Sequence, residues 1–248
     1  VEVSPRLTEL QRGKLASSGF RIDWHQSLET LPVMPLGIVA NELFDAIPIR
    51  AFVKHGGHWR EKAVGADAAE NLVFQSMPAS LSLSDLPVGH ETQNDGSIFE
   101  YAPAREAMMQ EIAGRLAANG GFGLFIDYGH ARSGFGDTLQ AIKKHAFANP
   151  LEDPGEVDLT SHVDFEALAN AARREGANVS SVPEQGTFLT RLGIIERAEQ
   201  LASAQPASHN ALEIACDRLI GKDQMGNLFK VIGIAALNVI LPALDDHR

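Results

Sequence analysis

Thiols, positive charge and long apolar runs are all in short supply in this chain. Cys216 is its only cysteine, which excludes a disulfide framework and a zinc cluster built on thiolates. Lys and Arg number 21 against 32 Asp and Glu, a net charge of −11. That balance argues against a nonspecific nucleic-acid or anionic-membrane partner, which needs a basic face. The longest apolar candidate, Val231 to Leu244, is broken by Gly233 and Pro242, so no segment reaches membrane-spanning length. There is no Gly-x-Ser-x-Gly elbow, phosphate-binding loop or Gly-x-Gly-x-x-Gly turn. The nine histidines match no metal-ligand spacing, His145 and His162 beside Asp158 and Asp164 included, and no metal is expected. A reducing, aqueous compartment is the default.

What is present is 44% apolar and 21% charged residues over 248 positions, the balance of a packed globular protein. The length suits one large domain, or one domain with an insertion. The acidity suits a cationic substrate. Val1-Glu-Val3 reads as the tail of a strand that leads into a helix capped by Ser4 with Pro5 at its first position. Opening inside a strand leads us to expect residues upstream of the numbered chain. Phe20–Asp23 and Leu36–Ala40 are further short strands, the first followed by Trp24-His25 and a helical turn. This alternation predicts a doubly wound α/β fold with a mostly parallel sheet.

Between 49 and 103 the rhythm changes to a β-rich insertion, with a hairpin around Gly56-Gly57 and a loop from Leu81 to Gly96. The insertion is too short and too loosely apolar to carry a core alone. A helix over Ala104–Asn119 leads into a buried strand, Phe122–Asp127. Downstream, helices are expected over Phe165–Arg174 (capped by Asp164 or Ser161), Thr187–Ala204 and Ser208–Leu219. Further strands are expected over Gly176–Val182 and Leu228–Ile234.

Two apolar strands therefore end in acids: Leu36–Ala40 runs into Asn41, Glu42 and Asp45, and Phe122–Ile126 into Asp127 and Tyr128. Open α/β sheets bind ligands at that carboxyl edge, so the pair predicts a negative cleft. Caps and solvated loop acids explain the same residues, Asp45 especially. Glu42 is placed to pair with a guanidinium and help remove its proton. Glu2 suits ribose hydroxyls, Trp24 an adenine face, and His162 hydrogen bonding or acid–base work.

Seven segments in order, nearly end to end, resemble the MidA-like family, also described as the mitochondrial complex I assembly methyltransferase family. They are Val1–Gln11, Trp24-His25, Ala40–Pro48, Phe125–His130, Asp137–Ala141, Asp158–Phe165 and Met225–Val231. The resemblance implies a class I S-adenosyl-L-methionine-dependent methyltransferase fold and methylation of arginine in a protein substrate, a complex I subunit in mitochondrial members. It implies Glu2, Ser4, Trp24, His25 and Asn41 on the cofactor side and Asp45 and Tyr128 on the substrate side. Glu42, Asp127 and His162 then stand as catalytic residues. The family's first strand and glycine-rich loop, expected before Glu2, are missing from the numbered chain, which predicts weak cofactor binding by these residues alone. The compartment expected is cytoplasmic for a bacterial source, towards which the motifs lean, and the mitochondrial matrix for a eukaryotic one. Two other functions compete: a non-catalytic assembly factor that binds a partner protein, and a small-molecule methyltransferase.

Overall fold

The computed structural model describes residues 1–144, 146–237 and 239–244; His145 and the charged tail from 245 lie outside the described residues. The strands are β1 (Leu36–Asn41), β2 (Arg50–His55), β3 (His58–Ala66), β4 (Leu72–Pro78), β5 (Ile98–Tyr101), β6 (Gly121–His130), β7 (Gln140–Lys143), β8 (Ala146–Ala148), β9 (Asp158–Thr160), β10 (Val163–Asp164), β11 (Asn178–Val179) and β12 (Phe229–Ala235). The helices are α1 (Pro5–Leu15), α2 (Pro103–Asn119), α3 (Phe165–Arg174), α4 (Gln185–Arg191), α5 (Ile194–Ala204), α6 (His209–Ile220) and α7 (Met225–Leu228).

The main sheet runs β1-β6-β12-β11, with β10 beside the end of β6. β1 and β10 are parallel to β6, whereas β12 is antiparallel to both β6 and β11. Four of these five strands therefore point one way and β12 alone is reversed, a mixed α/β sheet of the expected kind. In β6 the even alternation of buried positions lets Phe125 face α2 and α3 while Leu124 and Ile126 pack on the opposite side.

α2 begins at Pro103, which fits a first helical position, and ends where Gly120 adopts φ 87°. Its buried face is Met109, Ile112, Ala113 and Leu116, with Met108 only partly buried. α3 is capped by the Asp164 carboxylate, which accepts from the Ala167 N–H at 3.0 Å, and packs Phe165, Leu168 and Ala172 into the same core.

Several expectations are corrected. Neither 1–3 nor 20–23 forms a strand: a strand needs a ladder of bonds to a neighbour, and the backbone bond nearby, Glu2 N–H to His25 O at 2.8 Å, falls just beyond 20–23. The expected strand over 176–182 is paired only at Asn178–Val179. The helix expected over Thr187–Ala204 is divided at Gly193, whose φ of 83° ends α4 and starts α5. Ser208 precedes α6 but its side chain makes no cap.

The segment 49–103 gathers a small core, though not from its own residues alone. β4-β3-β2-β5 form an antiparallel sheet, with β2 and β3 joined through Gly56 and Gly57, both at positive φ as a tight hairpin requires. Phe52, Leu86 and Phe99 are buried beneath it, so 81–96 is not all surface loop. The missing apolar area comes from elsewhere in the chain. Phe135, just after β6, stacks on Trp59 at 5.6 Å and meets Phe99 edge-on at 6.2 Å.

Candidate functional site at the carboxyl edge of the sheet

β1 ends at Asn41, and the chain then turns sharply. Glu42 sits at φ 51°, a left-handed conformation that costs a non-glycine residue roughly 1–2 kcal/mol. Its N–H donates to Ile126 O at 2.9 Å, which closes the turn against β6. Its side chain is exposed, and Asn41 Nδ2 donates to its Oε1 at 3.0 Å. Among the described residues no cation pairs with the Glu42 carboxylate. Strain of this kind persists where surrounding structure enforces it, and such places cluster at functional sites.

The enforcing group is Asp127. Its carboxylate has no exposed surface and accepts three backbone bonds: Phe44 N–H at 3.0 Å and Asp45 N–H at 3.2 Å on one oxygen, Tyr128 N–H at 2.9 Å on the other. The sequence suggested an acid open to a cleft and available for catalysis. A carboxylate sealed in this way instead holds the turn after β1 to the end of β6. Asp45 is also buried, and its Oδ2 accepts from the Tyr128 hydroxyl at 2.7 Å. The Tyr128 ring meets Phe229 and His162 edge-on at 5.5 and 5.7 Å. His162 is fixed from behind: its N–H donates to the Thr138 hydroxyl at 2.9 Å, and that hydroxyl donates to Glu100 of the insertion.

Burial shapes the titration of these groups. It pushes Asp127 up to about 7, helped by the charge of Asp45 and opposed by the three backbone donors. It raises the Tyr128 phenol, and lowers His162 with help from His130. An acid whose native pKa lies above its ordinary value of about 4 holds its proton more tightly when folded. Its contribution to stability is therefore full below pH 4 and is lost as pH rises through about 7, about 4 kcal/mol in total. Asp127→Asn should flatten that descent. The groups facing Asp127 are Asp45, Arg105 and Tyr128, and all remain in the variant. His162 acts in the opposite sense but is common to both proteins, so subtracting one profile from the other isolates Asp127. Denaturant midpoints compared at pH 5 and pH 8 test this; parallel profiles for the two proteins would refute it.

A second group of expected residues lies together near the start of the chain. Glu2 accepts from Ser4 N–H at 2.9 Å and from Gln11 Nε2 at 3.0 Å, and Gln11 Oε1 accepts from Trp24 Nε1 at 2.9 Å. Ser4 caps α1 through Leu7 N–H at 3.3 Å, and His25 Nδ1 lies 3.0 Å from Thr30 Oγ1. Arg12 covers the Trp24 ring at 5.3 Å. Among the described residues no hydrogen bond or ring contact joins this group to the Glu42 group. A partly exposed carboxylate with spare lone pairs to accept from a ribose diol, and an aromatic ring nearby to lie on an adenine, form a set that fits a nucleoside.

Residues 1–182 match the family described as S-adenosyl-L-methionine-dependent methyltransferase. The chain belongs to this family. It is 32% identical over 241 residues to the mitochondrial protein arginine methyltransferase NDUFAF7 homolog of Drosophila melanogaster, covering 92% of this chain and 53% of that protein. It is 30% identical over 253 residues to the mitochondrial protein arginine methyltransferase NDUFAF7 of Mus musculus, covering 92% and 57%. The chain thus spans about half the length of the curated relatives it matches. A crystal structure from Burkholderia thailandensis bound to S-adenosyl-homocysteine superposes with a TM-score of 0.83 at 26% identity, covering 97% of this chain and 64% of that one. A second from the same organism gives 0.85 at 27%, covering 98% and 67%. Asn41 and Glu42 stand at the carboxyl edge of the sheet, the edge at which open α/β sheets bind ligands.

Arg105 escaped the reading of the sequence, and Ser161 was read only as an alternative cap of α3, a place Asp164 takes. Both are 2% exposed and sit at the junction of the turn after β1 with the segment before α3. The available signal was a basic residue in the first turn of an otherwise amphipathic helix, on its apolar side.

Proposed function

We propose that this chain carries the methyl-transfer edge of a protein arginine methyltransferase. The observation that carries the reading is the exposed Glu42 carboxylate, held in a strained turn at the end of β1 with no cation beside it among the described residues. A guanidinium is the cation that a carboxylate binds with two parallel charge-assisted bonds. The family and the relatives' names support arginine as the acceptor.

In this reading S-adenosyl-L-methionine supplies an electrophilic sulfonium methyl, with Glu2 and Trp24 holding the nucleoside, Ser4 and His25 shaping that end, and Asn41 beside the methyl. Glu42 orients the guanidinium so that one nitrogen meets the methyl in line. The new N–CH3 bond forms as the S–CH3 bond breaks, the sulfonium becomes a neutral thioether, and the guanidinium nitrogen gives its proton to the Glu42 carboxylate, which passes it to solvent. Glu42 stabilises the positive charge that gathers on the guanidinium as this happens. Asp45 and Tyr128 form the wall against which the substrate arginine lies, Asp127 fixes that wall, and His162 closes it. Residues 49–103 form an insertion within one methyltransferase-like domain, and a protein with an accessible arginine is the partner. In mitochondrial relatives we take that partner to be a complex I subunit, and the matrix to be the compartment; a bacterial source would place the protein in the cytoplasm.

The test is mass spectrometry of arginine methylation in cells with and without the full-length protein. A set of arginine sites losing methylation in its absence, restored by the wild-type protein, supports the reading. An unchanged methylarginine profile would refute it, and would favour the non-catalytic assembly factor.

A further inference from the structure

Arg105 is a buried cation that, among the described residues, no carboxylate touches directly. It stands in the first turn of α2, 2% exposed. Its fork is spent on backbone carbonyls from two separate segments. Nη2 donates to Asp45 O at 2.9 Å and to Ile47 O at 3.1 Å, with Nε adding a bond to Ile47 O at 3.3 Å. Nη1 donates to His162 O at 2.7 Å, and Nη2 reaches the Ser161 hydroxyl at 2.6 Å and Ser161 O at 3.4 Å. Ser161 N–H donates in turn to Asp45 O at 3.1 Å.

These two segments bear opposite walls of the site described above. One leads from the strained Glu42 turn; the other carries His162, which meets Tyr128. A planar guanidinium holds both in one fixed geometry, because its five donors diverge in a plane, whereas an ammonium offers three donors on a single rotating centre. The charge has a second use. Asp127 and Asp45 lie within electrostatic range of Arg105, so a cation compensates two buried acids while its bonds are committed elsewhere.

We infer that Arg105 is the positioning residue of this site, a staple that fixes the turn after β1 against His162 so that Glu42 and Tyr128 face the same space. The inference rests on the methyltransferase reading for its effect on rate, and on geometry alone for its effect on order.

The experiment uses the full-length protein with Arg105→Lys, which keeps the charge and removes the fork, and Ser161→Ala, which removes a single contact and preserves folding if the lysine variant does not fold. Three quantities are measured: affinity for S-adenosyl-homocysteine by calorimetry, transfer of labelled methyl from S-adenosyl-L-methionine to lysate proteins of cells lacking this protein, and amide hydrogen exchange. Arg105→Lys is expected to slow methyl transfer by about a hundredfold, the scale of a misplacement of about 1 Å. Affinity for S-adenosyl-homocysteine should stay within about threefold, and exchange should rise in 41–48 and 160–163 but not in the centre of β6. Ser161→Ala should slow transfer by about fivefold. Transfer at the wild-type rate, or unchanged exchange in both segments, overturns the inference. If the wild type itself transfers no methyl to any protein, the arginine-methylation reading falls, and exchange alone then decides whether Arg105 is the staple.

Discussion

Replacing Glu42 by glutamine is expected to slow arginine methylation by about a hundred- to a thousandfold, the scale on which removing one charge-stabilising group at a reacting centre acts. Glutamine keeps the size of the side chain, and its amide oxygen can still accept from Asn41. What it loses is the charge that grips a guanidinium in two places and favours the growing positive charge on the attacking nitrogen. Because Glu42 is exposed and lies on no packed face, folding should be untouched. The turn itself is also retained, since it depends on the backbone bond to Ile126 and on Asp127 beneath it. Methylation rate and S-adenosyl-homocysteine affinity are measured together. Equal loss of both assigns Glu42 to the cofactor, and undiminished methylation removes it from the mechanism.

Gly129→Ala should be the most damaging small substitution at the site. Gly129 lies where β6 pairs with β10, opposite Val163, and a Cβ there would stand 2.1 Å from Val163 O and 2.6 Å from Val163 N. Backbone cannot yield as a side-chain tip can, so β10 must move. With it move His162 on one side and the Asp164 cap of α3 on the other. Overpacking on this scale costs about 1–3 kcal/mol, and the displacement should also lower methylation by about a hundredfold. Gly37→Ala is the control. Gly37 is also in a strand of the same sheet, but its Cβ would meet only the Phe122 ring, at 3.6 Å, an ordinary contact. Thermal melting and methylation of both variants check the argument; equal melting temperatures would mean that β10 is not held in place by this close approach.

The carboxyl edge was legible in the sequence because each strand is written as an apolar run and the polar residue that ends it stands out, although β1 is covered on one face only, with Val39 75% exposed. Asn41 and Asp127 were found in this way. The difference between them was not legible. Both follow apolar runs, yet Asn41 opens to solvent while Asp127 is sealed by amides from Phe44 and Asp45, 83 and 82 residues away. Arg105 stayed hidden for a related reason. Its partners are backbone carbonyls, which every residue carries, so no side-chain motif marks them.

Local chemistry accounts for what the sequence determined by itself. The two-glycine hairpin, the Pro103 start and Gly120 stop of α2, the Asp164 cap and the apolar run of β6 all rest on interactions within a few residues. Only the tertiary structure decided the rest, because it depends on a partner supplied from far along the chain. The stretches 1–3 and 20–23 found no neighbour to pair with and stayed unpaired. The insertion found Phe135 and completed a core it lacked. The acid at the end of β6 found two amides after β1 and became the anchor of the turn that carries Glu42.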